Sequence, residues 1–74
     1  MELKTLIDAF MEKEYDDKIY LTVIDRETGN IVVENKRLFS GEFEPYHDSL
    51  IHTMIETAPC YHYVVVVYKW KNRF

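Results

Sequence analysis

A single cysteine, Cys60, excludes any disulfide within the chain, and a lone thiol suits a reducing interior better than a secreted scaffold. Two glycines and two prolines among 74 residues, with 15% aromatics, exclude low complexity and disorder. There is no excess of basic residues. Nine Lys and Arg stand against 13 Asp and Glu, for a net charge of −4, which argues against general affinity for a nucleic-acid backbone. Nor is there a long apolar run: residues 61–68 form the longest, interrupted by His62 and too short to cross a bilayer as a helix. The N-terminus lacks a basic region followed by an apolar stretch, so the expected location is the cytoplasm.

What remains is one small domain over residues 1–74. A chain of this length buries only about 60% of its unfolded surface, and its core supplies roughly 3–5 kcal/mol. Without disulfides, oligomerisation is the route to further stability, and a homo-oligomer is expected.

The charges are unevenly placed. Residues 1–34 carry nine acids and four bases, whereas residues 59–74 carry three bases and no acid. Leu3, Leu6, Ile7, Phe10 and Met11 draw one apolar stripe at helical spacing, predicting a helix over 2–14. From residue 18 to 25 the period falls to two, with Ile19, Leu21 and Val23 on one face and Tyr20, Thr22 and Ile24 on the other. Turn chemistry follows at residues 25–30, including Gly29, and then the β-branched Ile31, Val32 and Val33 complete a hairpin.

Residues 35–48, with Gly41 and Pro45, read as an irregular segment wrapping a sheet edge and anchored by Leu38, Phe39, Phe43 and Tyr46. Residues 49–57 fit two patterns. Leu50, Ile51, Met54 and Ile55 mark a helical face with Asp48 as N-cap, while alternation of Ile51, Thr53 and Ile55 marks a strand; the strand is preferred. Residues 61–70, rich in Val and Tyr, are the strongest β signal, and four consecutive valines predict a central position. The expected fold is α+β: an N-terminal helix on a mostly antiparallel four-stranded sheet, the alternative being three strands with two helices.

Met1, Leu3, Lys4 and Leu6, then Asp16 and Asp17, Ile24 and Asp25, Thr28, Gly29, Asn30 and Ile31, and finally Pro45, Tyr46 and Asp48, follow a recurring order. In it the chain resembles a loose group of short phage and prophage proteins of Gram-positive bacteria, with one helix and a small antiparallel sheet. The long aromatic last strand and the Ala58, Pro59, Cys60 connection depart from that pattern. The resemblance implies a small phage accessory protein acting in the host cytoplasm, of a kind that blocks host enzymes or sequesters nucleotide signals of host defence.

Several constellations compete for a role. Cys60 and His62, on one face of a strand, would with His47 and His52 suggest zinc, but the second half of a zinc signature is missing. A thiol nucleophile at Cys60 lacks an orienting third residue. Glu42 and Glu44 show no sign of a shifted acid and base pair. Glu12, Glu14, Asp16 and Asp17 read as a solvated helix end rather than a nucleic-acid mimic. No catalytic residue, metal or cofactor is therefore assigned, and the chain is read as non-enzymatic.

The aromatic residues say more. Tyr20, Tyr61, Tyr63 and Tyr68 exceed what one helix on a sheet hides, so they are assigned to an interface on the uncovered face. For an anionic ligand, Lys69, Lys71 and Arg73, helped by Lys36 and Arg37, would contact phosphate while Trp70 or a Tyr stacks on the base. The expected function is non-catalytic binding of a host defence protein or a small nucleotide. A self-associating structural or assembly module without a ligand is the alternative.

Overall fold

The computed structural model describes residues 1–13, 16–57 and 60–68. They form one helix and a four-stranded mixed sheet, an α+β fold whose strands are mostly antiparallel. Helix α1 spans Leu3–Met11, and strands β1 to β4 span Tyr20–Asp25, Ile31–Arg37, Leu50–Thr57 and His62–Tyr68. Short 3-10 segments occupy Asp16–Lys18 and Gly41–Tyr46.

The helix is shorter than the 2–14 that periodicity predicts. Its N-cap residue, Glu2, makes no side-chain cap; instead the Leu3 and Lys4 N–H groups donate to the Ser49 and His47 carbonyls at 2.9 and 3.1 Å. Backbone from the approach to β3 thus satisfies two of the donors that every helix start leaves free. The predicted stripe is the buried one, with Leu3, Leu6, Ile7 and Phe10 in the core and Met11 at its margin.

Strand order is β2-β1-β4-β3. The β1–β2 hairpin is antiparallel, and its turn is held by Gly29 N–H donating to the Asp25 carbonyl at 2.7 Å and Glu27 N–H donating to the Asp25 carboxylate at 3.0 Å. Gly29 takes φ +75°, a value that favours glycine. Residues 49–57 resolve as the strand β3, antiparallel to β4. As four valines predict, β4 is central, but its pairing with β1 is parallel, which periodicity alone does not specify.

The core lies on one side of the sheet. Leu21 and Val23 of β1, Val33 of β2, and Val65 and Val67 of β4 join Ile19 and the helix stripe in a single cluster. Leu38 and Phe43 enter the same cluster. Segment 35–48 therefore does not simply wrap an edge: β2 runs on to Arg37, and the following 3-10 helix inserts Phe43 beside α1. Of its four predicted anchors, Leu38 and Phe43 are buried and Tyr46 partly so, but Phe39 is 65% exposed. Leu38 takes the buried position, and its neighbour Phe39 stands at the surface beside α1, on the rim of a cavity shared with Ile7 and Met11.

Candidate functional site

Alternation along β1 and β4 sends Tyr20, Thr22 and Ile24, and likewise His62, Val64, Val66 and Tyr68, to the face opposite the core. Thr53 and Ile55 of β3, paired with Val66 and Val64, extend this face, and Ile31, paired with Ile24, closes it on the other side. The buried residues of α1 and of the Gly41–Tyr46 segment all belong to the cluster beneath the sheet, so none of the described helical elements covers it.

The face is built from two aromatic corners. At one, the Tyr20 and His62 rings stack with centroids 5.1 Å apart and planes at 12°. The Arg37 guanidinium lies 5.2 Å above the Tyr20 ring, its Nε donates to Tyr20 Oη at 3.2 Å, and its Nη1 donates to the Asp17 carbonyl at 2.9 Å. Guanidinium, phenol and imidazole are thus fixed as one unit, with cation–π attraction added to the hydrogen bonds. At the other corner, Tyr68 meets the His52 ring edge-on at 6.3 Å and the Arg26 guanidinium at 5.8 Å. Between the corners run Thr22, which is buried, and the half-buried Ile24, Val64 and Val66, flanked by the more exposed Ile55.

The assigned interface residues divide. Tyr20 and Tyr68 stand on the open face. Tyr63 instead points to the core side, its ring 4.8 Å from that of Phe10, and Tyr61 also packs against the core. The reason is register: Tyr61 holds φ +73°, which breaks the alternation before β4 begins, and Tyr63 pairs with Leu21, a core-facing residue. The same break keeps Cys60 in the turn, so Cys60 and His62 do not share a strand face.

Of the ligand-binding residues, Lys69, Trp70, Lys71 and Arg73 lie outside the described residues. Lys36 and Arg37 are exposed neighbours on β2 and diverge: Lys36 is paired with Leu21 in register and bonds Glu42 beneath the sheet, Nζ to Oε2 3.3 Å, while Arg37 turns to the open face. Sequence reasoning missed Arg26, His52 and His62 as parts of the face. The position of His62 in register with Tyr20 is a property of the parallel pairing, which no local pattern carries.

Small cavities elsewhere among the described residues are alternatives. One, of about 190 Å³, lies between α1 and the segment around Phe39 and Glu44; another, of about 110 Å³, is walled by Asp25, Tyr46 and Val67. Both fall below the roughly 300 Å³ at which small-molecule sites begin. No helix among the described residues is long and apolar enough to cross a membrane. Comparison with protein-family models, with curated proteins and with solved structures gives no match.

Proposed function

We propose that this is a non-catalytic binding protein whose working surface is the open sheet face, and that its partner is a protein with an apolar centre and an acidic rim. The observation that carries this reading is the sheet face that none of the described helical elements covers: a β-branched middle held between two aromatic corners, each bearing an arginine, in a chain of net charge −4. Tyr and Arg anchors around a desolvated apolar centre are the composition of interface hot spots. Two guanidiniums on an otherwise acidic protein also favour a partner of opposite local charge. Taken with the resemblance to short phage proteins, the partner is a host protein and the role anti-defence, exercised in the host cytoplasm.

The test compares capture from a Gram-positive host lysate by the wild type, by a Tyr20→Ala, Arg37→Glu double variant, and by Lys4→Glu on the helix. A protein retained by the wild type and by Lys4→Glu but lost from the double variant is expected. Calorimetric titration with cyclic and linear nucleotides is expected to give no heat. Capture independent of the face would overturn the reading, and nucleotide heat that disappears with Arg37→Glu would transfer the function to nucleotide sequestration.

A further inference from the structure

The two edges of the sheet are unlike. Along β2 the register with β1 is irregular twice, Asn35 takes φ +52°, and Glu34, Lys36 and Arg37 put charges on the strand. Bulges and charges of this kind blunt an edge against pairing with another chain. On the opposite edge, β3 is treated differently along its length. Its first residues are covered by the N-terminus: Glu2 bridges Leu50, the Ile51 N–H donates to the Met1 carbonyl at 2.9 Å, and the Leu3 N–H donates to the Ser49 carbonyl at 2.9 Å. A register irregularity between Ile51 and Thr53 then separates that clasp from the rest. From Thr53 to the strand's end at Thr57, pairing with β4 runs in continuous register from Val66 to His62, and the side chains include Met54 at 38% and Ile55 at 58% exposure.

We propose that this stretch of β3, at the sheet edge among the described residues, pairs with the same stretch of a second copy, antiparallel, about a two-fold axis through Ile55. The register follows from the limits just described. The clasp and irregularity bound the stretch at one end and Thr57 bounds it at the other, and Ile55 is its midpoint. An antiparallel strand meeting its own copy is self-complementary by symmetry. Centred here, Ile55 faces the partner's Ile55, each Thr53 faces a Thr57, and each Met54 faces a Glu56.

The pairing suits a second copy for a chemical reason. Glu56 is the only charged side chain in the stretch, and in this register it falls opposite a methionine, not its own copy, so no like charges meet. The central apolar pair and two Thr–Thr pairs are favourable cross-strand combinations. Because directly opposed residues share a face, both helices stay on one side and the two open faces become one continuous surface across eight strands. A chain of 74 residues, whose single core leaves a narrow stability margin, gains from such an edge closure.

Light scattering and sedimentation under reducing conditions, from micromolar to millimolar concentration, test the proposal. The wild type is expected to approach twice the 8.9 kDa mass of one chain as concentration rises. Ile55→Lys, which opposes two ammonium groups at the axis, is expected to remain at the monomer mass with an unchanged circular dichroism spectrum. Should that variant fail to fold, cysteine cross-linking decides. In a Cys60→Ser background, Ile55→Cys is expected to form a disulfide dimer on mild oxidation, since opposed Cα atoms in antiparallel strands lie within disulfide reach. Thr53→Cys alone is expected not to cross-link, whereas a mixture of Thr53→Cys and Thr57→Cys is. A wild type that stays monomeric at millimolar concentration, a dimer that survives Ile55→Lys, or equal cross-linking from Ile31→Cys on the β2 edge would overturn it. None of these outcomes depends on the partner captured by the open face.

Discussion

Asn35 holds φ +52° where β2 departs from regular pairing, and the reason lies across the sheet. Its N–H donates to Thr22 Oγ1 at 3.0 Å, and that hydroxyl lies 3.5 Å from Asn35 Oδ1, so the bulge is closed by a side chain on the neighbouring strand. Asn tolerates the left-handed region better than other side-chain-bearing residues, whereas a β-branched residue there is strained. Asn35→Val is therefore expected to cost about 1–2 kcal/mol despite its better strand propensity, and Asn35→Gly only a few tenths, since glycine enters that region freely. Urea unfolding checks the pair, and equal losses would show that the bulge does not depend on backbone conformation. Tyr61, at φ +73°, is the less expected case. Its carbonyl accepts the Tyr20 N–H at 2.9 Å and its N–H donates to Glu56 Oε2 at 3.1 Å, so the turn into β4 is tied both to the start of β1 and to β3.

Among the elements, α1 is the one most fully written in the sequence. The spacing of Leu3, Leu6, Ile7 and Phe10 names its buried face because a helix can bury only the residues that share a side. Phe10 is expected to be its most sensitive position, since its ring meets Tyr63 of β4 and so joins helix to sheet. Phe10→Ala should cost about 3–5 kcal/mol, comparable with the whole stability expected of a chain this size, and abolish a cooperative thermal transition. Met11→Lys, one residue on and 40% exposed, should leave the transition nearly in place. The hairpin was equally legible, because Asp25, Thr28 and Gly29 supply the turn bonds that close it. The centrality of β4 was legible from Val64 to Val67. Other features were not. Local alternation assigns a residue to a face but says nothing about which strand lies beside it, so the parallel β1–β4 pairing, and with it the Tyr20–His62 stack, had no signature. The continuation of β2 through Asn35, Lys36 and Arg37 was hidden by polar residues that suit an exposed edge as well as a loop. Aromatic content does not say which side of a sheet a ring takes, so Tyr61 and Tyr63, which composition alone assigns to the open face, pack against the core instead.

At the scale of the whole molecule, the sheet is asymmetric: one face is a core shared with α1 and the Gly41–Tyr46 segment, and the other carries the proposed binding surface. Val64 and Val65 put this to a direct test, being adjacent, chemically identical and equally suited to a strand, but pointing to opposite faces. Val65 is fully buried among the core residues, whereas Val64 is only half-buried. Replacing valine by threonine preserves shape and β-branching while adding one hydroxyl. In the core that hydroxyl lacks water, and burying it without a partner costs about 1–3 kcal/mol. On the open face it remains hydrated, and the cost should be about 0.5 kcal/mol or less. Denaturant unfolding of Val64→Thr and Val65→Thr is therefore expected to show a midpoint shift in the second alone, at an unchanged slope. Equal destabilisation would mean that both faces are sealed from water, and the open face would then be a second core rather than a surface kept for a partner.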